Sequence, residues 1–139
     1  MVNWRIRVET EIADLASYQY KYNEKSMVKI VEFRLKGAIS PDAAKDFAEL
    51  IQAYITRFVK PENNDLVVLA GRGPIWLYML AQHYLHGQIS NLGVFDPKIG
   101  IVVVAAHGWD SPFSEGQLIP KDQIPDEILA ALTQPPAKA

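Results

Sequence analysis

The chain contains no cysteine, which removes disulfides, thiolate metal sites and cysteine nucleophiles together. No apolar stretch approaches the roughly 20 residues that span a bilayer. Charge of one sign is scarce as well: 14 Lys and Arg stand against 16 Asp and Glu, for a net charge of −2. A long double-stranded nucleic acid needs a broad basic surface, so it is not the expected partner, whereas a small anion met by a few local cations remains possible. Met1 to Ala13 carries Arg5, Arg7, Glu9 and Glu11 and no apolar run, so it does not read as a signal peptide. With no membrane segment in view, the expected location is the cytoplasm. Any metal would sit on carboxylate, imidazole, carbonyl or water, a set suited to manganese or magnesium more than to structural zinc.

What is present suffices for one domain. A chain of 139 residues buries roughly 65–70% of its unfolded surface and folds without staples. We expect residues 1–16 to form an N-terminal extension, 17–133 a single small α/β domain and 134–139 a flexible Pro- and Ala-rich tail. Trp4, Ile6 and Val8 alternate with polar residues and suggest a first strand or arm. Tyr18, Tyr20 and Tyr22 alternate again, and Val28, Ile30, Glu32 and Arg34 follow the polar turn at Asn23 to Ser26, so this pair reads as a β-hairpin. Ser40-Pro41-Asp42 starts a helix, with a hydroxyl N-cap, proline in the first turn and an acid near the positive dipole end. Phe47, Leu50, Ile51, Tyr54, Ile55 and Phe58 make its apolar stripe. Leu66 to Ala70 is a continuous apolar run, as expected of a strand covered on both faces. A second helix is expected from Pro74 to about His86, closed by Gly87. Leu92 to Phe95 and Ile101 to Ala106 are two strands joined by Pro97-Lys98-Ile99-Gly100, where the last glycine suits a positive φ. A short helix over Pro125 to Leu132 completes an α/β layer fold with a mixed sheet and flanking helices.

Three places could carry chemistry. Gly71-Arg72-Gly73-Pro74 joins a strand to a helix, so free N–H groups and Arg72 can meet an anion there. A tight β–α turn with a solvated arginine explains the same residues equally well. The P-loop lysine and hydroxyl are missing, and Trp76 replaces the third glycine of a dinucleotide motif. The second place groups His83 and His86, one helical turn apart, with Asp96. His86 falls in the last turn, where the negative end of the dipole attracts a cation. Capping of carbonyls by His86, an ordinary turn role for Asp96 and a solvated Lys98 are the plainer alternatives. The third is His107, at a strand end. If its strand runs parallel to Leu66–Ala70, His107 shares a sheet edge with the glycine turn, while His86 and the Asp96 hairpin fall near the other edge.

The strings Leu69 to Leu77, His83 to His86 and Val94 to Val104, with His107, are similar to the third Csx family of CRISPR-associated proteins (Csx-three). The resemblance covers about Tyr18 to Gly108. It implies a fold like the CRISPR-associated Rossmann-like sensors, and a ring nuclease that cleaves cyclic tetra-adenylate in type III CRISPR signalling. It implies manganese as cofactor, ahead of magnesium, and a homodimer that stacks further into a tetramer or filament. By matching position, His86, Asp96 and Lys98 are the implied catalytic residues. Asp96 would carry the metal, and Gly71, Arg72, Gly73, Pro74 and His107 would bind the ring. Lys98 stands where relatives can have arginine, which keeps a point charge and loses a bidentate fork. Gln82 stands where relatives can have histidine. A non-catalytic ring-binding module and a 3′ deadenylating RNA exonuclease are the alternative activities.

Overall fold

A computed structural model describes residues 7–108 and 110–134. Trp4 and Ile6 of the expected first strand, and the tail from Pro135 onward, lie outside the described residues. The rest of that first strand is β1 (Arg7–Glu9), which pairs antiparallel with β2 (Ala13–Lys21), so the sheet extends back into the expected N-terminal extension. The tyrosine alternation forms the expected hairpin, β2 with β3 (Met27–Leu35). Then follow α1 (Pro41–Tyr54), β4 (Leu66–Gly71), α2 (Ile75–His86), β5 (Asn91–Asp96), β6 (Gly100–Ala106), β7 (Leu118–Pro120) and α3 (Asp126–Thr133). The expected class holds: a small α/β domain on one mixed sheet of seven strands, in the order β1 to β7.

Strands β3, β4 and β5 run parallel, and the flanking pairs are antiparallel. Both helical crossovers advance the sheet in one direction, so right-handed connection sets α1 and α2 on the same face. There Phe33, Leu69 and Leu92 meet Phe47 and Ile51 of α1 and Leu77, Ala81 and Leu85 of α2. Alternate residues of the same strands, including Ile30, Val68, Phe95 and Ile101, point the other way. They pack beneath Phe113, Ile124 and Ile128, the last from α3.

Several local details depart from expectation. Ser40 is the N-cap of α1, yet its hydroxyl makes no cap bond; its carbonyl accepts from Ala43 N–H at 3.0 Å instead. The stripe continues past α1 as a wider π turn, Ile55–Val59, closed by a left-handed Lys60 whose N–H reaches back to the Ile55 carbonyl at 2.9 Å. Pro74 caps α2 from outside its first turn, and Gly87 ends it in right-handed geometry without needing its freedom. Gly100 does adopt φ +125°, and an added Cβ there would meet the Ile119 carbonyl of β7. Between β5 and β6 the register slips at Leu92/Gly93: Leu92 opposes Ala105 and Gly93 opposes Val103, which leaves Val104 as a β-bulge.

Tyr20 gives a test of this packing. It is buried, and its hydroxyl finds no partner among the described residues. Burial, and secondarily neighbouring Tyr22, hold its ionisation well above the ordinary tyrosine range. Above about pH 10 the unfolded chain therefore loses this proton before the folded one does, and stability falls as pH rises. Tyr20→Phe is expected to be neutral to about 1 kcal/mol stabilising at pH 7, and to flatten the alkaline loss, as read by urea unfolding at pH 7 and 10.5.

Candidate functional site

Because β4 and β5 are parallel, their carboxyl ends share one sheet edge. Gly71-Arg72-Gly73 leaves β4 there and the Asp96 hairpin leaves β5. Gly71 holds φ +147°, and a Cβ on it would stand 2.5 Å from the Phe33 carbonyl; Gly73 lies against Phe33 and Leu77. The two glycines thus serve first to bring this turn down onto β3. Tyr78 O–H donates a short hydrogen bond to the Gly71 carbonyl from one helical turn inside α2. Burial, then the charge of Glu32, raise its ionisation above the usual tyrosine range. The outer side of the turn is open. Arg72 and Gly73 are exposed, Arg72 has no ion-pair partner among the described residues, and Trp76 is 36% exposed in the first turn of α2.

Beside this turn is a crevice of about 320 Å³, lined in part by Arg34, Gly71, Arg72, Pro97 and Gln134. Buried Glu32 forms part of its wall, where it accepts from Tyr18 O–H at 3.0 Å and pairs with Arg34 at 3.3 Å. Sequence reading treated Glu32 and Arg34 only as members of an alternating strand. Their polar character on a face otherwise packed with Val28 and Ile30 was the signal that marked them. At the hairpin, Asp96 Oδ1 accepts the Lys98 backbone N–H at 2.8 Å, and the Lys98 side chain is exposed.

The opposite edge holds the histidines. His86 ends α2, His107 follows β6, and their Nε2 atoms lie 2.6 Å apart with the rings at 76°. Such a contact needs one of the two nitrogens to carry a proton and the other to be bare. His83 is exposed one turn earlier on α2. The backbone around the pair is tied down. His107 N–H donates to the Ser90 carbonyl at 2.9 Å. Ser111 Oγ–H donates to buried Asn91 at 2.7 Å, and the Asn91 amide donates to the Asn63 and Asp65 carbonyls, both at 3.1 Å.

The expected grouping is therefore corrected. His107 does not share the edge of the glycine turn, and Asp96 does not share the edge of His86. Strand β6 returns antiparallel from β5 through the 97–99 hairpin, so its end falls at the start of β4 and β5. Within one chain the two groups stand at opposite ends of α2, about 17 Å apart at 1.5 Å per residue. Between them runs a groove of about 740 Å³ along α2 and the sheet, from Gly71 and Asp96 to His83 and His86, floored by Leu92, Val94, Val104 and Ala105. It is the largest feature that sequence reading missed.

Among the described residues of this chain the donor groups do not make a metal shell. Among the described residues no group of three or more His, Asp or Glu is placed to hold an ion. Asp96 has no imidazole on its edge, and the histidine pair has no carboxylate in hydrogen-bonding contact.

The sequence model of a CRISPR-associated protein family (Cas_csx3) matches residues 53–120, which span the glycine turn, α2, the Asp96 hairpin and His107. Over these residues the chain is similar to the Csx-three family. A curated protein of Aquifex aeolicus (strain VF5), described as an uncharacterized protein, is 39% identical to it over 79 residues. That alignment takes in 56% of this chain and 66% of the relative, just under two thirds of its length. The Csx-three match thus centres on the elements that carry the groove and both of its polar ends. Among the described residues no helix is long and apolar enough to cross a membrane.

Proposed function

We propose that this protein is a cytoplasmic phosphodiesterase that binds and opens cyclic tetra-adenylate. The observation that carries the reading is the His86–His107 contact. Opening a phosphodiester forms a bond from an attacking oxygen to phosphorus and breaks the bond to the leaving oxygen. The first oxygen gives up a proton and the second takes one. Two adjacent imidazoles, one ring nitrogen protonated and the other bare, offer a donor and an acceptor for that exchange once their mutual contact opens onto the substrate. In this proposal His86 is the acid or base, and His107, which the resemblance set with ring binding, joins it. Lys98 stabilises charge growing on the phosphoryl oxygens. Arg72 and the Gly71–Pro74 turn hold phosphate, and the exposed face of Trp76 offers a stacking platform for adenine.

Manganese, ahead of magnesium, is proposed as the cofactor, with Asp96 as its ligand. In this proposal the remaining ligands are phosphate oxygens, water and groups of a second copy. A homodimer, stacked further into a tetramer or filament, belongs to the same proposal. The second reading, a module that binds the ring without cleaving it, is favoured by the lack of a three-donor cluster among the described residues.

The test incubates the protein with cyclic tri-, tetra- and hexa-adenylate and with linear oligoadenylate, each with and without manganese. Consumption of the four-membered ring, dependent on manganese, is expected. Stoichiometric binding with no product after long incubation would decide for the module. Preferential trimming of the linear substrate would make the protein a 3′ deadenylating exonuclease instead.

A further inference from the structure

The sheet is split at the edge where the glycine turn sits. Strands β3 and β4 stay paired as far as Phe33↔Gly71, and β5 and β6 as far as Asp96↔Gly100, but the pairing of β4 with β5 ends at Leu69↔Val94. Beyond that point the two strands part, one into the glycine turn and the other into the Asp96 hairpin. Gly71, Phe95 and Pro97 stand at the split, and each lines both the groove along α2 and the crevice on the α3 side. In open α/β sheets ligands enter at the carboxyl ends of the strands. Here that end gives onto both faces.

The crevice has the make-up of a base pocket. Its volume of about 320 Å³ lies at the lower end of the roughly 300–1,000 Å³ of small-molecule sites, room for one nucleoside rather than a whole ring. Leu35, Phe95, Pro97 and Leu132 give it apolar walls. Set into them is the Glu32 carboxylate, only 6% exposed, beside the guanidinium of Arg34. Glu32 Oε1 accepts from Tyr18 and Oε2 from Arg34 Nη2; a carboxylate has about four acceptor positions, so others remain. Arg34 Nη2 also donates to the Ala131 carbonyl at 3.4 Å, which leaves Nε and Nη1 without a partner among the described residues. As a mere tie between β3 and α3, this pair would stabilise little more than apolar side chains in its place. Against a cavity it offers an acceptor beside a donor. Adenine presents the complement along one edge, an amino donor at N6 and an acceptor at N7. Hypoxanthine puts an oxygen where that amino group stands, against Glu32. At the mouth, exposed Arg72 can meet the phosphate of the same nucleotide.

We propose that the crevice between β3, the glycine turn and the end of α3 is an adenine-reading pocket, in which Glu32 accepts from N6 and Arg34 donates to a ring nitrogen. That an adenine of the cyclic substrate enters it rests on the phosphodiesterase reading; the pocket's affinity for an adenine nucleotide does not.

Adenosine 5′-monophosphate is the probe, and its 2-azido derivative is the photolabel that locates it. Irradiation of the whole chain is expected to label the peptides that carry Glu32–Leu35 or Leu132–Gln134. Excess adenosine monophosphate should protect them, and inosine monophosphate should need about tenfold or more concentration to protect as well. Thr133→Trp, at an exposed position on the rim, fills the crevice and should abolish the label with the circular dichroism unchanged. Arg34→Lys keeps the charge and loses the planar fork. It is expected to weaken protection by adenosine monophosphate about tenfold and to narrow the preference over inosine monophosphate, which loss of a purely structural ion pair would not do. No label on these peptides, label confined to α2 and β6, equal protection by the two nucleotides, or label that survives Thr133→Trp overturns the pocket. With cyclic tetra-adenylate, Thr133→Trp should raise KM about tenfold at unchanged kcat, the loss of one held base. An unchanged KM overturns the pocket's part in holding the ring. A wild-type chain labelled as expected that never cleaves any ring would count against the phosphodiesterase reading and leave the adenine pocket standing.

Discussion

His86→Ala is expected to slow single-turnover cleavage of cyclic tetra-adenylate about 10²–10⁴-fold, the usual contribution of a positioned proton-transfer group. Affinity for the ring should change less, because the role proposed for His86 is proton transfer rather than holding phosphate. Arg72→Ala should do the reverse. Its guanidinium is exposed with no ion-pair partner among the described residues, so its removal leaves the fold intact. Loss of one charge-assisted contact worth about 1.5–3 kcal/mol then weakens ring binding roughly 10–100-fold. Titration calorimetry beside quenched-flow cleavage separates the two. If His86→Ala retains wild-type single-turnover rates, the proposed role of the histidine pair is wrong.

Gly71→Ala should be the most damaging conservative change to stability. A φ of +147° excludes ordinary side chains, and the new methyl would stand 2.5 Å from the Phe33 carbonyl in the neighbouring strand. Backbone strain and overpacking each cost about 1–3 kcal/mol, so a loss of about 3 kcal/mol or more is expected. For a chain of this size that lowers the melting midpoint by roughly 10 °C. Gly87→Ala is the control. Its φ is −81° and nothing lies within 4 Å of the added Cβ, so it should be neutral to about 1 kcal/mol stabilising through the unfolded chain. Thermal melts followed by circular dichroism give both values.

Much of the architecture was legible because its patterns are local. Alternation marked β2 and β3, a stripe with spacings of three and four marked α1, and a run of unbroken apolar residues marked β4 as covered on both faces. Strand β7 was not legible: three residues ending in Pro120 carry no period. The grouping of the site was missed for a different reason. Which edge a residue reaches depends on strand direction, and the Pro97 hairpin that reverses β6 relative to β5 was already readable. Because β5 is parallel to β4, that same reversal puts His107 at the His86 end. The open face beside α2 was invisible in principle, since Val102 and Val104 read the same whether their cover comes from the same chain or another. Glu32 and Arg34 share a face with Val28 and Ile30, a signal that stays weak in sequence because an alternating strand tolerates charge on one face, and the packing of α3 is what makes this face interior.

The bulge at Val104 decides more than a kink. A strand aims its side chains by odd and even count, and one surplus residue inverts that parity for everything after it. Ala105 therefore joins the layer beneath α2, Ala106 turns toward α3, and the residue after them comes round to the helix side. Drop one residue between Gly100 and His107 and the imidazole would look into the opposite layer, with no composition changed around it. The meeting of these two rings is set by an integer, and a family alignment that tolerates gaps in β6 would silently pass over its loss.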